Sequence, residues 1–173
     1  MPRYVALLRA INTPGRNVKM EPIRSALQSM GLDDVETFIA SGNVIFNTDD
    51  DDQDLIERIE AALAAGVGLD IAVFLRTEDE LKAVASLDPF DGIDDHEVSF
   101  LPEIPDAGAI EALVAITGPL DRLAVVGREV YWWTSGPRNE SPHSEAMVVK
   151  TLGMPTTRRS IRTVRRIADR YLR

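Results

Sequence analysis

The chain has 173 residues, 45% of them hydrophobic, a formal net charge of −9 and no cysteine. That content supports one full core or two small subdomains sharing one. It excludes disulfides, thiolate catalysis and cysteine-ligated zinc or iron–sulfur sites, and no apolar run reaches the length of a membrane span, so a cytoplasmic protein without membrane contact is expected.

In chain order, RYVALLRAI at 3–11 reads as a strand, apolar enough to be central in a sheet. A loop covers 12–19, and a helix is expected over 20–30, with Met20, Ile23, Leu27 and Met30 on one side and Gly31 as its stop. VETFIASGNVIFNT at 35–48 reads as a hairpin around Gly42-Asn43, residues that tolerate the positive φ of a tight turn. Leu55, Ile59 and Leu63 recur every four residues within a helix expected over 52–65. A strand at 69–75 and a helix at 77–87 follow.

Strand, helix, two hairpin strands, helix, strand is the β-α-β-β-α-β order of a ferredoxin-like unit. Strands joined by a tight hairpin are antiparallel, which argues against a doubly wound dinucleotide fold. The second half repeats part of the pattern: a strand at 96–102, a helix at 107–116, a hairpin of 121–127 with 129–134, and a helical segment at 144–152. TRRSIRTVRRIADRYLR at 157–173 reads as a closing helix with Ile161, Val164 and Ile167 in its apolar stripe. The expected fold class is α+β, with two ferredoxin-like halves, antiparallel or mixed sheets and a basic C-terminal helix. The domain reading is a first half at 1–76, a helix and linker at 77–94, a second and partial half at 95–152, and the basic helix at 153–173.

Charge is unevenly spread. Residues 150–173 hold eight cations and one acid, a net +7, and the remaining residues hold eleven cations and twenty-seven acids, a net −16. A basic segment on an acidic body either meets an anionic partner such as nucleic acid or docks on its own acidic surface.

Candidate chemistry gathers in a few places. RAINTPGRNVKM at 9–20 has a single glycine and no Lys-Ser/Thr pair, so neither the dinucleotide fingerprint nor the P-loop is present. It does bring Arg9, Asn12, Asn17 and Lys19 to a strand–helix junction, where free N–H groups favour an anion. Ser41 and Asn43 flank the hairpin turn. Thr156, Thr157 and Arg158 stand at the expected start of the last helix, and two arginines there carry the wrong sign for a helix N-terminus. A bound phosphate or carboxylate would offset them, and so would an acidic patch on the body. Trp132 and Trp133 point to opposite faces of their strand, one into the core and one toward a helix, partner or ligand. Asp49 to Asp52, with Asp54, suit a solvated helix N-terminus better than a cation site. His96 and His143 are the only histidines and show no metal-ligand spacing, so no metal site is assigned; His143 sits in a polar connection, RNESPHSEAM.

RAINTPGRNVKM, TFIASGNVIF and LGMPTTRRSIRTVRRIA together resemble the DUF1697 family of bacterial proteins, over essentially the whole chain. The resemblance implies an α+β fold with ferredoxin-like halves and brings no established activity, substrate or cofactor. The family's recurrent residues fall here on Arg9, Ile11, Asn12, Gly15, Asn17, Lys19, Met20, Ser41, Gly42, Asn43, Thr156, Thr157 and Arg158. Thr13-Pro14, Ala40 and Arg159 depart from the family pattern.

The function expected from these residues is binding of a phosphate-bearing or other anionic small molecule in a cleft between the halves. Three alternatives stay open: a small-molecule enzyme, a nucleic-acid-binding module, and a structural or oligomerising protein. No general base, nucleophile or cofactor is identified.

Overall fold

A computed structural model describes residues 1–50 and 54–173. The chain divides into two units, the first made of Met1–Val84 with Ile167–Arg173 and the second of Ala85–Arg166.

In the first unit, β1 (Arg3–Leu8) is followed by the two-residue strands β2 (Asn12–Thr13) and β3 (Arg16–Asn17). Next come α1 (Met20–Ser29), β4 (Asp33–Phe38), β5 (Asn43–Asn47), α2 (Leu55–Val67), β6 (Val73–Thr77) and α3 (Glu78–Ser86). The main sheet runs β4-β5-β1-β6 with every neighbour antiparallel. Val5 to Leu8 are fully buried, which is why β1 reads as an unbroken apolar run rather than an alternation. Ala6, Leu8, Val44 and Phe46 pack against Ile23 and Leu27 of α1 and Leu55, Ile59 and Leu63 of α2. β1 ends at Leu8, earlier than its apolar pattern suggests, because Ala10 turns into the left-handed region at φ 51°. Gly42 needs to be glycine: its φ is 86°, and a Cβ there would lie 2.8 Å from Ile11 Cδ1. Of the acidic run before α2, Asp51 and Asp52 lie outside the described residues, as do the first two positions, 52 and 53, of the helix expected over 52–65.

The second unit holds β7 (Glu97–Phe100), α4 (Ala107–Ala115), β8 (Asp121–Val126) and β9 (Glu129–Thr134). A short 3-10 turn (Arg138–Glu140), α5 (Glu145–Leu152) and β10 (Thr157–Ser160) complete it, and α6 (Ile161–Tyr171) begins there. Its sheet runs β10-β7-β9-β8, again antiparallel throughout. Numbered within each unit, both sheets have the order 4-1-3-2 of the ferredoxin-like fold. Leu101, Leu113, Val130, Val148 and Leu152 form the core under α4 and α5. Asp106 caps α4 by accepting from Ala109 N at 2.7 Å, and Ser144 caps α5 by accepting from Met147 N at 3.2 Å.

The helix expected over 157–173 is corrected by this sheet. Residues 157–160 are its fourth strand, so the second half is complete rather than partial, and the helix starts at Ile161. The cause is visible in the burial: Thr157 and Arg159 are buried while Arg158 and Ser160 are partly exposed, a period of two. Arg158 and Arg159 are therefore strand residues, and the anion cradle expected at a helix N-terminus does not exist in that form.

The two fourth strands match residue by residue. Arg76 pairs with Val5 and Arg159 with Val98. Both arginines are buried, and each donates from Nη1 to the preceding carbonyl at 2.9 Å, Leu75 in one unit and Arg158 in the other. Thr77 and Ser160 then cap α3 and α6, each hydroxyl accepting an N–H from three residues on at 3.2 Å.

Candidate functional site

In the first unit, most of the expected site residues hold the backbone. Asn12 Oδ1 accepts from Val18 N at 3.1 Å, and its Nδ2 donates to the Ala40 carbonyl, tying the β2–β3 loop to the β4–β5 turn. Asn43 is fully buried and donates from Nδ2 to the Phe38 carbonyl and to Ser41 Oγ, both at 2.9 Å. Asn17 is exposed on β3, opposite Asn12. Arg9 and Lys19 have no side-chain hydrogen bond or ion pair among the described residues; Arg9 is half-buried and Lys19 exposed. A cavity of about 430 Å³ in this unit is lined by Arg3, Glu36, Glu78, Arg170 and Tyr171 among others. Of its charges, Arg3 meets Glu36 at 3.1 Å, Glu78 meets Lys82 at 2.6 Å, and Arg170 lies over the Tyr171 ring, 5.3 Å from its centroid.

The second unit differs. Its sheet register sets Glu97 beside Trp132 and Ser160, and Ser99 beside Val130 and Arg158. Alternation puts Glu97, Ser99, Trp132 and Arg158 on the face that carries Val130 into the core, under α4 and α5. Arg158 lies over the Trp132 ring, 5.0 Å from its centroid, and donates from Nε to Ser99 Oγ at 3.2 Å. Among the described residues, its buried Nη2 has no acceptor and no carboxylate pairs with it. Burial is the largest influence on this guanidinium and lowers its pKa; Glu97 and Glu145 oppose the shift and Arg138 adds to it.

Arg138 also sits over Trp132, at 5.9 Å, but it is ion-paired with Glu97 and donates to the Asp95 carbonyl at 2.6 Å. The imidazole of His143 lies 6.4 Å from the same indole, and its Nε2 is 3.0 Å from Thr117 Oγ1. Burial lowers the His143 pKa and the Arg158 charge lowers it further, against the pull of Asp121. A cavity of about 150 Å³, lined by Asp121, Ser141 and Pro142 among others, reaches the residue before His143.

Among the described residues, five buried polar atoms of this unit have no hydrogen-bond partner: His96 Nε2, Arg158 Nη2, Trp132 Nε1, His143 Nδ1 and Thr156 Oγ1. Buried polar groups are almost always paired, and three of these atoms belong to the side chains gathered at one indole, Arg158, Trp132 and His143. Thr157 is different, because its Oγ1 accepts from Arg159 Nη1 at 2.8 Å. Burial also lowers the Arg159 pKa, to about 10. Of this group, reading residue types in sequence names Arg158 and Thr156 as candidate ligand residues, and notes Trp132 only as one of two strand tryptophans and His143 only in a polar connection. It misses Ser99, Thr117 and Arg138, which join the group only through strand register and the placement of connections.

The basic segment is partly engaged close by. Arg162 meets Asp94 at 3.4 Å, and Arg165 donates to the Ala85 carbonyl at 3.2 Å. Among the described residues, no helix is long and apolar enough to cross a membrane.

The fold is shared with a solved structure of a conserved bacterial protein from Streptococcus pneumoniae, with a TM-score of 0.73 and 22% identity over 97% of each chain. No curated protein matches the sequence. The sequence does match a protein family of unknown function over residues 1–131, ending one residue before Trp132. The chain therefore belongs to the DUF1697 family.

Proposed function

We propose that this protein binds a small anionic ligand, phosphate- or carboxylate-bearing, at Arg158 on the helix-covered face of the second sheet. One observation carries the reading: a guanidinium stacked on Trp132, with a buried Nη2 that finds no acceptor and no carboxylate. Leaving a buried charged donor unmet costs on the order of 1–3 kcal/mol or more, and an oxyanion supplies the missing acceptor in the planar geometry a guanidinium prefers. The unpartnered hydroxyl of Thr156 and indole N–H of Trp132 are further donors in the same unit. Arg138, over the same indole, is ion-paired with Glu97, whereas Arg158 is not ion-paired among the described residues.

The test is a titration with inorganic phosphate, following the Trp132 indole N–H by NMR. The chain has two tryptophans, so Trp133 serves as an internal reference. Saturable movement of the Trp132 signal, lost in Arg158→Gln and absent with chloride, is the expected result. An identical response to chloride, or one that survives Arg158→Gln, rules the reading out.

A further inference from the structure

The tautomer of His143 narrows the ligand. Thr117 has one hydroxyl proton, and the Leu113 carbonyl, 3.2 Å from Oγ1, can only accept it. Toward His143 Nε2, 3.0 Å away, Thr117 Oγ1 is therefore the acceptor. This assigns the imidazole proton to Nε2. In the neutral ring, Nδ1 is then a bare lone pair, buried and with no donor facing it. Charging the ring would turn Nδ1 into a donor, but burial and the Arg158 charge both oppose that.

Arg158 and His143 thus present opposite needs against one indole. Arg158 Nη2 needs an acceptor, and His143 Nδ1 needs a donor. An anion made only of acceptors, such as acetate or sulfate, satisfies the first and leaves the second bare. A neutral hydroxyl compound does the reverse. Resting on the anion-binding reading above, we infer that the ligand is an oxyanion bearing its own hydroxyl, a 2-hydroxycarboxylate or a hydrogen phosphate. Its charge is held by Arg158 and its hydroxyl donates to His143 Nδ1. Sites built to pair a ligand hydroxyl discriminate against the analogue lacking it, because a buried polar group is then left unmet.

The experiment uses two matched pairs on the intact protein at about pH 7.5, where an imidazole is neutral. Glycolate is compared with acetate, and phosphate with sulfate, again through the Trp132 indole signal. Within at least one pair the hydroxyl-bearing member is expected to bind roughly tenfold or more tightly. The pair with the larger ratio identifies the source of the hydroxyl. In His143→Phe, which keeps a ring but removes the lone pair, that ratio falls to near one while the weaker member's affinity is retained. Equal affinities within both pairs overturn the inference and leave the anion reading intact. Silence toward all four probes overturns both. If His143→Phe does not fold, the ¹⁵N shifts of the native imidazole decide. Nδ1 moves toward a hydrogen-bonded value on adding the preferred probe if the inference holds, and stays unchanged if it does not.

Discussion

The two units use one sheet plan for two purposes. At matching register positions the first has Tyr4, Ala6, Phe46 and Leu75, and the second has Glu97, Ser99, Trp132 and Arg158. In the first unit these residues close an apolar core, with Tyr4 and Phe46 stacked 5.9 Å apart. In the second, the same positions make a charged patch with unmet hydrogen-bonding groups. The strand partners Val5 and Val98, and the arginines Arg76 and Arg159, are preserved between units. What separates core from candidate site is thus a handful of side chains on one face, not the backbone beneath them.

The largest expected effect breaks the apolar version. Phe46→Ala removes a fully buried ring from the first core and should destabilise the protein by about 3–5 kcal/mol in chemical denaturation. A loss below about 1 kcal/mol would mean that this face does not carry the unit's stability. Asn43→Ala comes next. It leaves the Phe38 carbonyl without the amide donor it now has, and a cost of about 1–3 kcal/mol is expected from the same measurement. Ser144→Ala should then cost about 1 kcal/mol by removing the cap of α5, the helix that follows His143.

Acidification should separate the units more gently. His96 and His143, both in the second unit, have pKa values lowered from 6.5, chiefly by burial. The unfolded chain therefore takes up these protons first. Their contribution is complete above pH 6.5 and is lost as pH falls through the depressed folded-state values. Glu78 of the first unit, held down mainly by its hydrogen bond from Lys82, has a folded pKa below 4.5, so its contribution is lost only at lower pH. For Asp121, desolvation would raise the pKa, but hydrogen bonds from Thr134, Gly118 and Ser141, with the charge of His143, together outweigh it and hold the folded value below 3.8. Stability measured between pH 6.5 and the carboxylate range should fall, and His143→Gln should flatten that slope. A slope unchanged in His143→Gln and His96→Gln would contradict the assignment.

The fold was legible where pattern and period agree. The apolar run of β1, the Gly42-Asn43 turn and the four-residue spacing of Leu55, Ile59 and Leu63 each point to the element that forms. β10 was not legible, because TRRS has no apolar residue to show alternation and borders a strongly helical stripe. Only pairing with β7 gives it a period. Thr156 and Arg158 stood out by residue type, but the helix N-terminus invoked for them is a strand edge. Ser99, Thr117 and Arg138 carry no local signal, since their relation to Trp132 and His143 is made by register and by the segments entering α5. The asparagines of the first unit were conspicuous for another reason: their amides hold the turns together.

The most direct test gives the second unit the residue of the first. Arg158→Leu places at this position the side chain that Leu75 provides in β6. Exchanging a partly buried guanidinium with an unmet Nη2 for an apolar residue removes the cost of that unmet donor, about 1 kcal/mol or more. The account predicts that Arg158→Leu melts at or above the parent temperature and that its Trp132 indole signal no longer responds to phosphate. A variant that melts well below the parent and still shows the full phosphate response would make Arg158 a structural residue and contradict the account.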